Sequence, residues 1–224
     1  MGRQVVIIGN SGAARECYWN ARDVLGDAFS FRGFLSFEGF SGKLKELANL
    51  EMGYDDSYTP GPEDDFIIGI GNPALRAKAY AKWKERGARF LTLIHPFSFI
   101  PPDTIMGEAN IITCACHFSC NVAIGNANYF NGNVVLGHDV SVGDANFFGA
   151  FSLVMGGVEV GSRNAFGVRS AALPSAKMGD DNTVAPGAFV YKGCGNGRLM
   201  AGNPALDVSE HGHPETSLPS EEAL

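Results

Sequence analysis

The pattern of apolar residues along this chain of 224 residues changes near residue 100. Before that point, short apolar runs alternate with amphipathic stretches and glycine-rich turns, which is typical of a βα arrangement with a parallel sheet. The pattern predicts strands over residues 5–8, 29–35, 66–70 and 88–94, and helices over residues 13–24 and 73–86. We therefore expect a small α/β domain at the start of the chain.

From residue 100 onward, every sixth residue is apolar. The series is Ile100, Met106, Ile112, Phe118, Ile124, Phe130, Leu136, Val142, Phe148, Val154, Val160, Phe166, Ala172, Met178, Val184 and Val190. A hexad is too short to include a helix, but it fits a short strand followed by a two-residue turn. Three hexads can close one triangular coil, and stacked coils would bury the six-spaced row inside a parallel β-helix.

Hexads that lie three apart resemble one another more closely than adjacent hexads do, so the full period is eighteen residues. The asparagines of these hexads are expected at one corner of successive coils, where their amides can hydrogen-bond to one another. They are Asn110, Asn128, Asn146, Asn164 and Asn182. We interpret them as structural, and the residues alone leave the hand of the helix open.

Composition limits the classes of binding partner and the cellular compartment that we expect for this protein. The formal net charge of −7 and the pI near 5.2 argue against a nucleic-acid or anionic-membrane surface, because phosphate binding needs a basic footprint. There is no run of 18 apolar residues and no cleavable signal segment at the start. The five cysteines do not have the spacing of a disulfide framework. We expect a cytoplasmic protein with reduced thiols.

The hexads resemble those of the bacterial hexapeptide-repeat acyltransferases. That resemblance implies a left-handed β-helix, a homotrimer with active sites between subunits, and an acyl-CoA donor. Residues 4–206 further resemble the sugar acetyltransferases that carry a Rossmann-like N-terminal domain, which include sialic-acid O-acetyltransferases and N-acetyltransferases of nucleotide-linked 4-amino sugars. The resemblance is carried by residues 6–12 (VIIGNSG), 33–35 (GFL), 93–96 (LIHP), 137–139 (GHD) and 200–205 (MAGNPA).

The change of pattern and the resemblance together predict an α/β nucleotide-sugar-binding domain over residues 1–95 and a β-helix over 96–206. Residues 207–224 are rich in Ser, Glu, Pro and His and have no apolar period, so we expect a flexible tail there. The chain departs from the family pattern at three positions. Ala13 and Phe147 replace histidines, and Ser36 replaces an acidic residue.

Acyl transfer from a thioester needs a base for the acceptor's proton and a donor for the developing oxyanion. His138 is the candidate base, because it lies two residues after Leu136 and so occupies a turn rather than the buried row. The resemblance implies that Asp139 orients its ring, although adjacent strand residues point to opposite faces and only a turn would let them meet. Gly156, eighteen residues on, is the candidate oxyanion donor through its backbone N–H, although it could also serve only as a tight turn.

Binding residues are assigned by position. The expected contacts for acetyl-CoA are Gly157, Val168, Ala185, Pro186, Gly187 and Lys192, with Arg198 as a second candidate for the phosphates. The turn after the first strand offers free N–H groups to a nucleotide-sugar phosphate. Its residues Gly9, Asn10, Ser11 and Gly12, together with Ser36, are the candidate substrate-binding set, and a purely structural turn is the alternative.

Two other groups of residues contain the residue types that bind metals, but their spacing does not favour a metal site. Cys114, Cys116, His117 and Cys120 resemble a zinc cluster, but the register directs Cys116 inward and separates Cys114 from Cys120. His95, His117 and His138 lack the spacing of a carbonic anhydrase site. We expect no metal, and we regard His211 and His213 as bystanders.

The sequence therefore predicts acetyl transfer from acetyl-CoA to the amine of a nucleotide-linked 4-amino sugar in surface glycan synthesis. An O-acetyltransferase acting on a sugar such as sialic acid is the first alternative. A β-helix scaffold without activity is the second.

Overall fold

The computed structural model describes residues 3–37 and 44–211. The first part is a four-stranded parallel sheet in the order β3-β2-β1-β4, with two α-helices. Its elements are β1 (Gln4–Ile8), α1 (Gly12–Leu25), β2 (Phe31–Ser36), β3 (Glu51–Tyr54), β4 (Asp64–Ile68) and α2 (Pro73–Glu85). Short 3-10 helices span Gly26–Ala28, Lys45–Leu50 and Asp55–Ser57.

Both predicted helices and the first three predicted strands are confirmed to within a few residues. Helix α2 begins where the sequence indicates, because Pro73 occupies its first turn and the side chain of Asn72 accepts a hydrogen bond from the backbone N–H of Leu75 at 3.1 Å. Strand β3 was not predicted. It is only four residues long and includes Gly53, so its apolar pattern is too weak to read.

The second part is a triangular prism built mainly of two-residue strands, most of which pair in parallel with strands eighteen residues away. Sheet I comprises Leu93–Ile94, Ile111–Ile112, Tyr129–Phe130, Phe147–Phe148, Ala165–Phe166, Thr183–Val184, Leu199–Gly202 and Ala205–Asp207. Sheet II comprises His117–Phe118, Val135–Leu136, Leu153–Val154, Ala171–Ala172 and Phe189–Val190. Sheet III comprises Ile105–Met106, Ala123–Ile124, Ser141–Val142, Glu159–Val160, Lys177–Met178 and Gly193–Cys194.

The six-spaced apolar row fills the prism, as predicted. Its members are buried or, for Ile100 and Met106 at the open end, partly buried. Phe130, Phe148 and Phe166 stack on successive coils of sheet I with ring centroids 4.8 Å apart. This spacing equals the distance between neighbouring strands of a sheet, so each inward side chain packs directly on its equivalent in the next coil.

The predicted asparagine ladder is also confirmed. From Asn128 onward, each amide nitrogen donates to the side-chain oxygen of the asparagine one coil earlier, at distances from 2.9 to 3.2 Å. All five side chains are buried at the corner between sheets III and I. The ladder therefore satisfies polar groups that would otherwise be costly inside the prism.

The prism begins earlier than the sequence indicated. The predicted strand over 88–94 is wrong as a single element: Phe90 forms an isolated bridge with Phe66, whereas Leu93–Ile94 pairs with Ile111–Ile112 in sheet I. Leu93 lies eighteen residues before Ile111, so it obeys the register of the repeat. The chain thus passes directly from the α/β sheet into the first coil.

Arg76 joins the two parts of the chain. Its guanidinium is fully buried and donates to carbonyl oxygens of Ile68 and Ile70 beside β4 and of Ala109, Ala127 and Asn128 in the prism. Burial lowers the pKa of Arg76 to about 10. This side chain ties the end of β4 and helix α2 to two successive coils.

The last described residues extend beyond the predicted end of the β-helix. Ala205–Asp207 pairs antiparallel with Leu199–Gly202, and Ser209–His211 forms a 3-10 helix. Residues 212–224, which include most of the predicted tail and His213, lie outside the described residues. Within the described residues, none of the helices has the length and apolar character needed to cross a bilayer.

Candidate active site

His138 and Asp139 form the turn between sheets II and III, which we call corner II/III. Asp139 has a φ of 59°, in the left-handed region, and this bends the chain so that two adjacent side chains can meet. The Nδ1 atom of His138 lies 2.7 Å from Oδ2 of Asp139, and 64% of the His138 side chain is exposed. The turn that these two adjacent side chains need in order to meet is therefore present.

The carboxylate of Asp139 has a second partner. Its Oδ1 atom accepts a hydrogen bond from the side-chain amide of Asn121, at 2.6 Å, one coil earlier at the same corner. The hydrogen bond from Asn121, followed by that from His138, holds the pKa of Asp139 below its usual value. Asp139 is therefore an anion at neutral pH and can accept a hydrogen bond from Nδ1 of the imidazole.

Gly156 lies directly beside the His138 ring, at the same corner one coil later. A Cβ atom built on Gly156 would lie 2.5 Å from Nε2 of His138. Within the described residues, the backbone N–H of Gly156 has no acceptor, whereas the next N–H, that of Gly157, donates to the carbonyl of His138 at 2.9 Å. An unpaired N–H next to a histidine is the arrangement that oxyanion stabilisation needs.

The structure divides the predicted acetyl-CoA residues between two corners. Gly157 and Lys192 lie at corner II/III with His138. Val168, Ala185, Pro186 and Gly187 lie instead at or beside the turn between sheets I and II, which we call corner I/II. Arg198 immediately precedes the Leu199–Gly202 strand of sheet I and pairs with Asp207 at 3.2 Å. Sheet II separates the two groups within one subunit.

A groove of about 680 Å³ runs along sheet I to corner I/II. Its walls are the start of helix α2, the outward residues of sheet I and three of the predicted acetyl-CoA residues. They include Asn72, Pro73, Phe147, Thr183, Val168, Ala185 and Pro186. The groove therefore connects the α/β domain to the corner where part of the cofactor was expected.

The predicted substrate-binding residues lie at the carboxyl end of β1 and β2. Gly9, with a φ of 113°, approaches the backbone of Gly69 so closely that a Cβ would lie 2.6 Å from the Gly69 oxygen. Ser11 and Gly12 begin α1, with Ser11 as the N-cap residue and no cap hydrogen bond from its side chain. In open parallel sheets this edge is where ligands bind.

Asn10 and Ser36 are joined at this edge by Glu51, a residue that the sequence did not single out. The amide of Asn10 donates to Ser36 Oγ at 3.0 Å and to Glu51 Oε1 at 2.8 Å, and the Ser36 hydroxyl donates to the same Glu51 oxygen. Asn10 and Ser36 are buried, whereas Glu51 is exposed. Glu51 thus brings a carboxylate to the end of β2, where Ser36 replaces an acidic residue.

The other two departures from the family pattern lie close together. Both lie beside Gly71: a Cβ atom built on that glycine would be 3.7 Å from the Phe147 ring and 3.8 Å from the Ala13 methyl group. Phe147 also packs against Tyr129, with ring centroids 5.3 Å apart. Two positions that carry histidine in the family pattern are therefore replaced by one apolar patch beside the groove.

The cysteines are dispersed as the register indicated. Cys116 is buried, with its sulfur 3.3 Å from the carbonyl oxygen of Asn131. Cys114 is exposed at corner I/II, and Cys120 is exposed at corner II/III. Among residues 3–37 and 44–211, no three His, Cys, Asp or Glu side chains are placed so that they could together hold a metal ion.

Comparisons with known proteins identify the fold. No protein-family profile matches the chain. PerB from Caulobacter crescentus, solved with CoA and GDP-perosamine, has a TM-score of 0.79 and 24% identity, covering 91% of this chain and 96% of its own. The acetyltransferase domain of PglB from Neisseria gonorrhoeae, solved with acetyl coenzyme A, has a TM-score of 0.79 and 19% identity, covering 93% and 100%.

WeeI from Acinetobacter baumannii has a TM-score of 0.81 and 21% identity, covering 92% of this chain and 100% of its own. Similarity of this extent over nearly the whole length shows a common architecture. The chain therefore has the fold class expected from its sequence, a small α/β domain followed by a left-handed parallel β-helix of hexapeptide repeats.

Proposed function

We propose that this protein transfers an acetyl group from acetyl-CoA to the amine of a nucleotide-linked 4-amino sugar, in the synthesis of a surface glycan. The observation that carries the proposal is the His138–Asp139 pair at an exposed corner, with the N–H of Gly156, which has no acceptor among the described residues, beside the ring. The shared fold supports the substrates, because PerB was solved with CoA and GDP-perosamine.

In the proposed reaction, Asp139 accepts a hydrogen bond from Nδ1–H of His138, which leaves Nε2 unprotonated. Nε2 takes a proton from the acceptor amine as the amine nitrogen attacks the thioester carbonyl. The carbonyl oxygen becomes an oxyanion, and the N–H of Gly156 stabilises it. When the tetrahedral intermediate collapses, the carbon–sulfur bond breaks, and the proton on Nε2 passes to the CoA thiolate.

We further propose a homotrimer with its active sites between subunits. Gly157 and Lys192 lie at corner II/III and Val168 and Pro186 at corner I/II. One CoA can contact both sets if corner II/III of one subunit faces corner I/II of the next. The outward face of sheet II supports this packing, because large apolar side chains remain exposed on or near it; these are Phe99, Val135, Phe151 and Val168.

The acceptor's nucleotide is assigned to the carboxyl edge of the α/β sheet. The N–H of Gly9 already donates to the carbonyl of Leu35 at 2.7 Å, so the candidate phosphate donors are the N–H groups of the first turn of α1, which begins at Gly12. The Asn10, Ser36 and Glu51 cluster lies at the next strand end and offers a carboxylate to ribose hydroxyls. The cytoplasmic location expected from the sequence remains part of the proposal.

The test is release of free CoA from acetyl-CoA in the presence of UDP-, GDP- and dTDP-linked 4-amino sugars and of sialic acid. We expect turnover with one amino sugar, and a loss of about 10²- to 10⁴-fold in kcat for His138→Ala with an unchanged circular dichroism spectrum. Turnover with sialic acid alone would favour O-acetylation. Absence of turnover with every acceptor would favour the scaffold alternative, and full activity of His138→Ala would contradict the mechanism.

A further inference from the structure

We propose that Asn121 is a positioning residue for the proposed reaction, one that holds the Asp139 carboxylate in the orientation that aligns His138. The inference rests on the proposed role of His138 as the base. It concerns a residue that lies outside the glycine–histidine–aspartate segment and that touches Asp139 rather than the reacting atoms.

The geometry is a chain of hydrogen bonds along corner II/III. Asp103 Oδ2 accepts from the backbone N–H of Asn121 at 2.9 Å. The side-chain amide of Asn121 donates to Asp139 Oδ1 at 2.6 Å, and Asp139 Oδ2 contacts His138 Nδ1 at 2.7 Å. Asp103, Asn121 and Asp139 are spaced by eighteen residues, so they occupy one turn position on three successive coils.

The backbone at this position suits asparagine, although other residue types also adopt the left-handed conformation at equivalent turns. Asn121 has a φ of 55° and Asp139 a φ of 59°, and asparagine and aspartate adopt this region more readily than other residues with a side chain. Of these two, only asparagine can donate to the carboxylate below it. The register, the left-handed turn and the hydrogen bond together account for the presence of Asn121.

The hydrogen bond from Asn121 fixes the orientation of the Asp139 carboxylate, which is the partner of His138. The two oxygens of Asp139 accept from different donors, so the carboxylate cannot rotate without breaking one of the two contacts. Asn121 therefore acts on His138 through the direction of the Asp139 Oδ2 atom. A fixed carboxylate favours the tautomer with the proton on Nδ1, which keeps Nε2 free to accept a proton from the amine.

The charged groups near the ring are few. Cys120 and Asn121 flank it from the coil before, and Gly156 and Gly157 from the coil after, so Asp139 is the only charged residue among these neighbours. At the same corner, Asp103 lies two coils before His138 and Lys192 three coils after it, roughly 10 and 14 Å along the axis. A charge placed at position 121 would therefore lie one coil from the imidazole, nearer along the axis than Asp103 or Lys192.

The experiment compares Asn121→Asp and Asn121→Gly with the wild-type protein in a kcat/KM profile against pH. Aspartate retains size and tolerance of the turn but replaces the donor with an acceptor, and glycine removes the side chain. Asn126→Asp is the matched control, because the side-chain amide of Asn126 also donates to an aspartate one coil later, Asp144 Oδ1 at 3.2 Å, but at the corner between sheets III and I, away from His138.

We expect both Asn121 variants to lose about 10-fold in plateau kcat with unchanged KM for either substrate, because alignment rather than binding is impaired. In Asn121→Asp the acid limb of the profile should also move to higher pH, by about half a unit or more, because the imidazolium gains a second carboxylate. Asn126→Asp should match the wild type. An Asn121→Asp profile identical to that of Asn126→Asp would overturn the proposal.

A second readout is independent of turnover. Nitrogen-15 NMR of the histidine rings reports which ring nitrogen of His138 carries the proton. We expect the Nδ1–H tautomer to dominate in the wild type and to lose population in both Asn121 variants. If no acceptor is ever turned over, the proposed function fails, but this measurement still tests the positioning role; an unchanged tautomer population would reject it.

Discussion

Gly156 and His138 are in such close contact that the glycine leaves no room for a side chain. A Cβ on Gly156 would lie 2.5 Å from Nε2, 2.7 Å from Cε1 and 3.0 Å from Cδ2 of the His138 ring. The φ of Gly156 is not in the left-handed region, so backbone conformation does not require glycine there. The requirement comes from the imidazole, which occupies the space above the Gly156 Cα atom.

Gly156→Ala should therefore displace the imidazole rather than unfold the protein. We expect kcat to fall by about 10²-fold or more, because the ring must move away from the backbone N–H that is proposed to stabilise the oxyanion. Gly195→Ala is the matched control, since a Cβ there meets no atom within 4 Å. Steady-state kinetics and the melting temperature of both variants check this; equal kcat for the two would contradict the assignment of Gly156.

Asp139→Asn should lower activity and shift its pH dependence. An asparagine at 139 would have to present its amide group either to the amide of Asn121 or to Nδ1 of His138, so one donor would face another. Because the Asp139 pKa is lowered, its carboxylate is charged throughout the active range, and its loss removes the counter-ion of the imidazolium.

We therefore expect Asp139→Asn to reduce the plateau of kcat/KM by about 10-fold or more and to move its acid limb to lower pH. The direction is opposite to that expected for Asn121→Asp. A kcat/KM profile from pH 5 to 9 measures both shifts. An acid limb that stays in place in Asp139→Asn would mean that the carboxylate does not interact with the imidazolium.

Glu51→Gln should weaken binding of the acceptor selectively. The carboxylate at the end of β2 contacts Asn10 and Ser36 and is otherwise exposed, so it is available to accept from ribose hydroxyls. We expect KM for the nucleotide sugar to rise about 10-fold, with kcat and KM for acetyl-CoA unchanged. Glu46→Gln, at an exposed position in the preceding 3-10 helix, is the control. Equal KM values in the two variants would remove Glu51 from the nucleotide site.

The β-helix was predictable because one physical constraint recurs in every hexad. Each inward position must be apolar, so the row from Ile100 to Val190 defines sheets, corners and coil boundaries together. The same register, extended backward, would have placed Leu93 in the first coil and Asn121 above Asp139. The hand of the helix was not predictable from spacing, because a left- and a right-handed coil bury the same row; it came from the resemblance.

The candidate site was predictable in part, for a similar reason. The corner shared by His138 and Gly156 follows from the eighteen-residue spacing, whereas the Asp139 contact depends on a left-handed turn at a residue other than glycine. Glu51 was not predictable. It reaches Asn10 from a short strand whose pairing with β2 contains an irregularity, and no periodic signal marks it. The cluster at the carboxyl edge of the α/β sheet is formed by tertiary packing, which no local sequence pattern shows.

Alkylation of cysteines should distinguish buried from exposed thiols. Burial raises the pKa of Cys17 to about 12 and that of Cys116 to about 11, so at pH 8 both remain almost entirely protonated and shielded in the native protein. We expect iodoacetamide to modify each of them at least about 10²-fold more slowly in the folded than in the urea-unfolded protein, as followed by peptide mass spectrometry. Rapid modification of native Cys116 would contradict its inward orientation.

The buried asparagine ladder should contribute more to the free energy of unfolding than exposed polar residues of the same coils do. Asn146 donates to Asn128 Oδ1 at 3.0 Å and to Gly161 O at 2.9 Å, and its own oxygen accepts from the N–H and the amide of Asn164 at 2.8 and 3.0 Å. Asn146→Ala removes all these partners inside the prism, where water cannot replace them. We expect the free energy of unfolding to fall by about 2–4 kcal/mol.

Ser141→Ala is the control for this ladder substitution, because Ser141 is exposed on sheet III of the same coil. We expect its free energy of unfolding to stay within about 0.5 kcal/mol of the wild type. Urea unfolding followed by circular dichroism compares the two variants. A loss for Asn146→Ala no larger than that for Ser141→Ala would mean that the ladder accompanies the β-helix without stabilising it, since four buried groups could then each lose a hydrogen-bond partner at no cost.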